Sequence, residues 1–196
     1  MFQPSKASLH EPLTEFGPVE LSARHAQLSD AFQSDPCHAM VTDEAHTSSD
    51  GVSANDALHT QVTPGDYGHA PIAVGVHERV GGNHDFANPG EILCAAIAAC
   101  YDSCVRLISC RLGIELRALS VKVAGHVDVR GTLKLEPDVP VGFQGFTLMV
   151  NIDAGPGIPE TTVKAILKAA EESCVVMQTI RQSPAIEVLP EIQGTS

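Results

Sequence analysis

Hydrophobic and polar residues follow two different periods along this chain, and the change of period predicts its secondary structure. An alternation with a period of two, typical of half-buried strands, occurs in residues 71–80, 117–136 and 141–154. A helical period occurs in residues 88–111 and 155–182, and a short strand is predicted at 183–190. This order of strands and helices predicts a mixed α+β fold, in which a sheet wraps over two central helices.

The two middle strands each place apolar residues on one face. In residues 117–136 the apolar positions are Val121, Val123, His126 or Val127, and Val129. In residues 141–154 they are Phe143, Phe146, Leu148, Val150 and Ile152. Spacings of two residues put the members of each set on the same side of a pleated strand, which predicts that this side faces the core.

The first central helix carries strong boundary signals. Asn88 suits the N-cap, Pro89 the first helical position, and Glu91 the third position, where its carboxylate can reach back to the cap amide. The helix is predicted to run to about Arg111 and to stop at Gly113. Its first three turns are apolar around most of their circumference, which indicates burial on several sides. Pro159 and Glu160 mark the start of the second central helix.

The first 70 residues differ in composition from the remainder of the chain. They contain two basic residues, Lys6 and Arg24, and most of the histidines. The hydrophobic pattern of residues 17–32 predicts one amphipathic helix, whose apolar side contains Val19, Leu21, Ala26, Leu28 and Phe32. A turn and a weak strand are predicted at residues 46–62.

The charge of the chain limits its possible partners. The formal net charge is −12, which argues against nucleic acid or an anionic membrane surface, because phosphates favour Lys and Arg. We also find no uninterrupted apolar run near the roughly 18 residues of a membrane span and no secretory signal. The expected compartment is the cytoplasm, where thiols stay reduced and a structural disulfide is not expected.

The six cysteines raise the question of packing, metal binding or reactivity. Cys100 and Cys104 share one face of the predicted helix, whereas Cys94 and Cys110 point elsewhere. A disulfide between positions i and i+4 of one helix would be strained, and a zinc site would need two more ligands. Core packing is therefore the simple interpretation for these thiols. Cys37 lies in a polar loop and predicts no metal site by itself.

A reactive Cys100 would require a cation from another segment. A thiol attacks only as its thiolate, the helix dipole fades within the first turn, and neighbouring alanines disfavour the charge by desolvation. Arg79 is the one basic residue between Arg24 and Arg106. Glu91, in the first turn of the helix, is expected to orient the Arg79 guanidinium through a bidentate pair.

Two cysteine-containing segments resemble the OsmC/Ohr family of thiol-dependent peroxidases. The segment "NPGEILCAAIAAC" is similar to the first cysteine element of that family, and "AEESCVVMQTIRQ" is similar to the second. A looser similarity covers about residues 70–190 and contains the strand pair in the same order. Departures from the family pattern are Gly90, where the family has an acidic residue, and Val175, where a proline often follows the second cysteine.

The resemblance implies a division of the chain and an assembly. Residues 1–65 would be a partly helical N-terminal extension, and residues 66–196 would form the OsmC-like domain. The implied assembly is an intertwined homodimer, with two long central helices enclosed by sheets from both chains and the sites at the subunit interface.

The resemblance also implies a reaction, the reduction of organic hydroperoxides, and of hydrogen peroxide less well, in oxidative-stress defence. Cys100 matches the peroxidatic cysteine, Cys174 the resolving cysteine, and Arg79 and Glu91 complete the expected catalytic set. An apolar substrate pocket including Phe86, Ile97 and Val175 would favour organic substrates. An external dithiol would restore the thiols, and no metal or flavin is required.

Two other hypotheses remain open from the sequence. The same fold can enclose a small hydrophobic ligand, with the cysteines serving only as core packing. Metal binding by the nine histidines and Cys37 is the third hypothesis, although histidines in an acidic, loop-rich segment are usually solvated.

Overall fold

The computed structural model describes residues 17–65, 68–192 and 194. Its helices are α1 (Pro18–Ser34), α2 (Pro89–Arg111), the single turn α3 (Val129–Thr132), α4 (Glu160–Ser173) and α5 (Val175–Arg181). Its strands are β1 (Ala45–Thr47), β2 (His59–Pro64), β3 (Ile72–Gly75), β4 (Ala118–His126) and β5 (Gly145–Asp153). The predicted mixed α+β class is confirmed.

The strands form two antiparallel sheets. The first has the order β1-β2-β3, and the second pairs β4 with β5 along their whole length, from Ala118 opposite Asp153 to His126 opposite Gly145. Helix α2 packs against β4, α4 and α5. The period of two places the apolar residues of β4 and β5 on the core side, where Leu119, Val121, Leu148, Val150 and Ile152 are partly buried.

The boundary signals of α2 are confirmed. The Asn88 side chain accepts hydrogen bonds from the backbone of Gly90 and Glu91, and the Glu91 carboxylate accepts one from the backbone of Asn88 at 2.9 Å. At the other end Gly113 has φ +67°, a conformation that glycine adopts without a Cβ penalty. This capping box and glycine stop fix where α2 begins and ends, and therefore which face each of its cysteines occupies.

Several details of the predicted secondary structure were wrong. The strand predicted at residues 71–80 ends at Gly75 and is followed by a 3-10 turn at Glu78–Val80. The strand that was expected to reach Val129 ends at His126, because the Asp128 side chain accepts a hydrogen bond from the Arg130 backbone and starts the turn α3. The second central helix is interrupted at Cys174, which has ψ 103° and separates α4 from α5. Residues 183–190 have irregular backbone instead of a strand.

The hydrophobic core of the described residues is small. The buried apolar residues are Val74, Ile97, Tyr101, Val105, Ile166, Ala170 and Cys174. Several apolar side chains of the C-terminal segment are exposed, namely Ile186, Val188, Leu189 and Ile192. A folded domain of this size normally buries most of its apolar surface. These four side chains give the C-terminal segment an exposed apolar surface.

Helix α2 is the one helix in the described ranges that is long and apolar enough to cross a membrane, judged by length and composition alone. Its best 18-residue window has a mean hydropathy of 1.6. Core helices of soluble proteins meet the same criterion, and α2 packs against a strand and two helices of the same chain.

The N-terminal part of the chain is joined to the remainder through β2. Helix α1 forms as predicted, although none of its residues is buried. Strand β2 lies in the segment predicted as the extension and pairs with β3, from His59 opposite Gly75 to Val62 opposite Ile72. The first sheet therefore crosses the boundary predicted between residues 65 and 66, and that boundary stays a prediction.

His59 connects β2 to the loop that precedes α2. Its Nδ1 contacts Asp56 Oδ2 and its Nε2 contacts Asp85 Oδ2, both at 3.0 Å. Hydrogen bonds to these two carboxylates raise the pKa of His59 above 6.5. The pKa of Asp56 is lowered mainly by its hydrogen bond from the Leu58 backbone, and that of Asp85 mainly by its hydrogen bond from His59.

We predict that the His59→Gln variant loses part of the pH dependence of stability. Because the pKa of His59 is raised in the folded state, protonated His59 stabilises the fold. This stabilisation is fully present below the unfolded pKa of about 6.5 and is lost as the pH rises through the folded pKa. The difference in Tm between wild type and variant should therefore be larger at pH 6 than at pH 8.5. Asp56 and Asp85 stay ionised across this range, because their pKa values are lowered. The stabilisation that these carboxylates contribute is lost only at acid pH.

The matched control for this experiment is His46→Gln, which changes an exposed histidine of β1. It should leave the pH dependence of Tm as in wild type. A difference between wild type and His59→Gln that stays constant from pH 6 to pH 8.5 would contradict the assigned role of His59.

Candidate functional site

Three thiols from two distant segments of the chain lie in or beside the core. Cys100 and Cys104 lie one helical turn apart on the same face of α2, and Cys174 lies at the junction of α4 and α5. Cys100 and Cys104 both pack against the buried cluster that contains Cys174. Cys100 lies close enough to the other two thiols to raise the pKa of each. We call Cys100, Cys104 and Cys174 the thiol cluster.

The interruption of the second helix places Cys174 in this cluster. Cys174 ends α4 with a hydrogen bond from its backbone N–H to Ala170 O at 2.9 Å, and its own carbonyl accepts from Gln178 N at 3.0 Å. The Gln178 side chain donates to Glu171 O at 2.9 Å, which fixes α5 against the end of α4. The side chain of Cys174 is completely buried as a result.

Burial sets the protonation of two members of the thiol cluster. It raises the pKa of Cys174 to about 11, to which hydrogen bonding with Cys100 adds, while a backbone hydrogen bond of Met177 acts in the opposite direction. The pKa of Cys104 is also raised, first by burial and then by the charge and hydrogen bond of Cys100. Cys104 and Cys174 therefore keep their protons near neutral pH.

Tyr101 attaches α2 to α4 beside the thiol cluster. Its hydroxyl donates to Leu167 O at 3.0 Å across the helix interface. Burial raises the pKa of Tyr101, and the negative charge of Glu171 adds to the effect. Glu171 is in turn paired with Arg181 of α5. The sequence analysis did not identify this support, because residues 101 and 167 are distant in sequence.

Arg79 and Glu91 occupy different surroundings within the protomer. Arg79 lies in a 3-10 turn after β3, where its Nε is 3.8 Å from the Glu78 carboxylate and its side chain is 76% exposed. Glu91 caps α2 and has an oxygen 3.4 Å from His84 Nε2. The expected pairing of Arg79 with Glu91 is therefore not formed inside a protomer, because each has a nearer partner. Their catalytic roles stay predictions.

The structure does not gather the three residues that we predicted for the substrate pocket. Ile97 is buried in the core, with 2% exposure. Phe86 is partly exposed and meets the His59 ring edge-on, with the ring centroids 5.9 Å apart. Val175 is 68% exposed at the start of α5. The described residues do not form a pocket that includes all three, and the composition of the substrate pocket stays a prediction.

A cavity of about 580 Å³ lies between the first turns of α2 and strand β4. Its walls are mostly apolar, and its polar lining includes His77, Glu91 and Lys122. The α2 side chains that line it, those of Glu91, Cys94, Ala95 and Ala98, lie more than 100° around the helix from Cys100 at about 100° per residue. The cavity therefore opens on a different face of α2 from the thiol cluster.

The structure explains why glycine, and not an acidic residue, occupies position 90 beside this cavity. A Cβ at position 90 would lie 2.9 Å from the Phe143 ring, and one at Gly125 would lie 2.6 Å from the same ring. The two glycines leave the space that Phe143 fills, between the start of α2 and the end of β4. An acidic side chain at position 90 would collide with that ring.

In the described ranges, no group of three or more His, Cys, Asp or Glu side chains is arranged to hold a metal ion. Cys37 is exposed in a 3-10 turn beside His38, whose Nε2 is 3.8 Å from Asp35. The metal-binding hypothesis therefore has no geometric support in this part of the chain.

The chain belongs to the family of OsmC-like proteins. The model of that family matches residues 82–189, which is more than half of the chain and includes both Cys100 and Cys174. No curated protein sequence matches the chain. Family membership therefore comes from the family model.

Solved structures show the same fold at low sequence identity. An organic hydroperoxide resistance protein OsmC from Legionella pneumophila aligns with a TM-score of 0.54 and 21% identity, over 72% of this chain and 90% of its own. An OsmC-like protein from Mycoplasma pneumoniae aligns with a TM-score of 0.58 and 15% identity, over 73% and 89%. An organic hydroperoxide resistance protein from Elizabethkingia anophelis aligns with a TM-score of 0.53 and 22% identity, over 74% and 91%.

Proposed function

We propose that this protein is a thiol-dependent peroxidase that reduces organic hydroperoxides in oxidative-stress defence, and hydrogen peroxide less well. The packing of Cys100 against the buried cluster that contains Cys174, a residue 74 positions later in the sequence, is the observation that carries this proposal. A peroxidase of this kind needs a sulfur that reacts and a second sulfur within reach, and the thiol cluster provides both. The names of two similar structures, which describe organic hydroperoxide resistance proteins, also support it.

In the first step, the Cys100 thiolate attacks one oxygen of the hydroperoxide. A sulfur–oxygen bond forms, the O–O bond breaks, and the departing alkoxide takes a proton to become an alcohol. Cys100 is oxidised to a sulfenic acid and the peroxide is reduced by two electrons. Cys174 does not compete in this step, because a thiol with a pKa of about 11 is protonated at neutral pH.

In the second step, Cys174 condenses with the Cys100 sulfenic acid. A sulfur–sulfur bond forms, and the hydroxyl of the sulfenic acid leaves with the Cys174 proton as water. An external dithiol then reduces the disulfide in two exchange steps and is itself oxidised. The chemistry uses sulfur alone and draws on no metal or flavin.

The functional unit of the proposal is a cytoplasmic homodimer with its sites at the subunit interface. The exposed apolar side chains of the C-terminal segment, Ile186, Val188, Leu189 and Ile192, supply surface that a second chain would cover. In this assembly, Arg79 polarises the peroxide and stabilises the Cys100 thiolate, with Glu91 as its orienting carboxylate. Its high exposure in the protomer leaves the Arg79 guanidinium free to change partners.

The proposal predicts a peroxide-driven disulfide between Cys100 and Cys174. Reduced protein treated with one equivalent of cumene hydroperoxide should give this link in most chains, because Cys100 packs against the buried cluster that contains Cys174. The measurement is mass spectrometry after proteolysis before Asp102, a cleavage that separates Cys100 from Cys104. A peptide containing Cys100 that joins the Cys174 peptide is the expected product.

The matched control is Cys37→Ser, which removes an exposed thiol outside the thiol cluster and should form the link as wild type does. Recovery of unmodified Cys100 and Cys174 after the peroxide treatment would reject the proposed function.

A second candidate function is the binding of a small hydrophobic ligand. The cavity of about 580 Å³ between α2 and β4 favours it, since ligand sites are commonly concave, apolar and of this size. The two candidates differ in their thiol chemistry. A protein that only binds a ligand would leave Cys100 and Cys174 reduced in the peroxide experiment.

A further inference from the structure

We propose that His59 is a positioning residue for Arg79: its ring clamps the loop that carries Arg79 to the turn before β2, and the clamp is complete only when both ring nitrogens carry a proton. This loop comprises residues 76–87, between β3 and α2, and we call it the Arg79 loop. The inference deepens the proposed function and rests on it for the catalytic meaning of Arg79. It assigns a role to a residue that precedes the part of the chain matched by the family model, residues 82–189.

Backbone hydrogen bonds close the base of the Arg79 loop. Gly75 N donates to Ala87 O at 3.1 Å, and His84 N donates to Val76 O at 3.1 Å. Arg79 lies between these two pairs, in a 3-10 turn with its side chain 76% exposed. The position of the Arg79 guanidinium therefore depends on what holds the loop as a whole.

His59 holds this loop from the side. Its Nδ1 is 3.0 Å from Asp56 Oδ2, in the turn before β2, and its Nε2 is 3.0 Å from Asp85 Oδ2, in the Arg79 loop. The His59 ring also meets the Phe86 ring edge-on, with the centroids 5.9 Å apart. His59 thus joins its own turn to a segment that lies 26 residues further along the chain.

The two contacts of His59 require a protonated ring. The pKa values of Asp56 and Asp85 are lowered, so both carboxylates are ionised near neutral pH and can only accept hydrogen bonds. A neutral imidazole has one N–H donor, whereas the imidazolium has two. Both contacts are therefore hydrogen bonds only when His59 is charged, and loss of the proton removes one of them.

The charged groups that face the His59 ring come from the two segments that it joins. Among the described residues they are the carboxylates of Asp56 and Asp85. On the neighbouring strand β3, the residue opposite His59 is Gly75, which has no side chain. Hydrogen bonds to the two carboxylates raise the pKa of His59, so the clamp stays complete to a higher pH than an isolated histidine would allow.

Two other histidines of the Arg79 loop also titrate and have to be separated from His59. The rings of His77 and His84 have their centroids 4.6 Å apart, and His84 Nε2 is 3.4 Å from Glu91 Oε1. His77 Nδ1 accepts a hydrogen bond from Arg79 N at 3.0 Å. These contacts lie within the loop or between the loop and the start of α2, so they do not attach it to the turn before β2.

The test measures how fast trypsin cleaves the folded, reduced protein after Arg79. Arg79 is the one basic residue between Arg24 and Arg106, so a single pair of fragments identifies this cleavage. A protease binds extended backbone, so the 3-10 turn must open first, and the rate follows the population of the open loop. Variant and wild type are compared at the same pH, which cancels the pH dependence of trypsin itself.

His59→Gln keeps a hydrogen-bond donor but cannot take up a proton. At pH 6 it should be cleaved after Arg79 about twofold to fivefold faster than the wild type, the range expected for one partly exposed ion pair. At pH 8.5 the two rates should converge, because the wild-type ring is then neutral. The kcat/KM for cumene hydroperoxide should fall by a similar factor at pH 6 and match the wild type at pH 8.5.

Three controls accompany this variant. His46→Gln changes an exposed histidine of β1 and should be cleaved as the wild type is. His84→Asn removes a histidine of the loop, at a φ of +53° that asparagine tolerates, and should keep the wild-type pH dependence. Cleavage after Lys168, in α4, reports opening of the core and should be much slower than cleavage after Arg79 in every protein.

A ratio of His59→Gln to wild-type cleavage that is the same at pH 6 and pH 8.5 would overturn the inference. Equal rates of cleavage after Arg79 and Lys168 would also overturn it, because they indicate global unfolding. So would a pH dependence that is lost in His84→Asn and kept in His59→Gln.

The two readouts separate this inference from the proposed function. Because proteolysis requires no peroxide, a pH-dependent ratio in a protein that fails to react with peroxide would support the clamp while rejecting the peroxidase. If the protein does reduce peroxide, faster cleavage of His59→Gln at pH 6 with an unchanged kcat/KM would overturn the positioning of Arg79 by His59.

Discussion

The Cys100→Ser variant should consume cumene hydroperoxide on the order of 1000-fold more slowly than the wild type. A serine hydroxyl keeps its proton at neutral pH and lacks the polarisable sulfur that accepts an oxygen from the peroxide. Serine is close to cysteine in size, so the partly buried position on α2 should tolerate it. The measurement is the initial rate of peroxide loss with dithiothreitol in excess as the external dithiol.

Two further variants serve as controls for this experiment. Cys37→Ser removes an exposed thiol that contacts no member of the thiol cluster, and its rate should equal that of the wild type. Cys174→Ser should retain the first peroxide reduction but lose the intramolecular disulfide. If Cys100→Ser keeps more than about a tenth of the wild-type rate, the attacking sulfur is a different one and the mechanism is wrong.

The start and end of α2 were predictable because they depend on local chemistry. Asn88 and Glu91 satisfy backbone amides that have no partner within the helix, and Gly113 adopts the left-handed conformation that ends it. These interactions span a few residues and leave a pattern in the sequence. Cys100 and Cys104 lie on one face of α2 because four residues separate them along the same helix.

The interruption of the second helix was not predictable from local pattern. Neither glycine nor proline marks the position of Cys174, and Val175 could continue a helix. The break depends on tertiary contacts, including the Gln178 side chain that binds the Glu171 carbonyl. The predicted strand at residues 183–190 failed for a related reason, because its alternation needs a neighbouring strand and the protomer supplies none among its described residues.

Arg79 shows the limit of inferring a site from sequence separation. The pattern identified it as the one cation between Arg24 and Arg106, and the structure places it in an exposed turn beside Glu78. Which group an exposed guanidinium faces depends on long-range packing and on any partner chain, and neither leaves a local signal. Packing of Cys100 against the buried cluster that contains Cys174, by contrast, requires only that α2 packs against α4 and α5, which is the arrangement observed.

The Ile166→Ala variant should lower the free energy of unfolding by about 3 kcal/mol, within the range measured for large-to-small substitutions in cores. Ile166 is 2% exposed and belongs to the cluster that contains Val105, Ala170 and Cys174. The cost combines lost apolar burial with the cavity left beside α2, and in so small a core few neighbours can move in to fill it. The measurement is urea denaturation of reduced protein at fixed protein concentration.

The matched control lies on the opposite side of the same helix. Lys168→Ala removes a side chain that is 77% exposed and lies 3.8 Å from Glu172, and it should change the free energy of unfolding by less than about 0.5 kcal/mol. Because Ile166 packs in the cluster that positions Cys174, its truncation should also slow the formation of the Cys100–Cys174 disulfide. Equal stability of Ile166→Ala and Lys168→Ala would show that the contact between α2 and α4 does not hold the thiol cluster together.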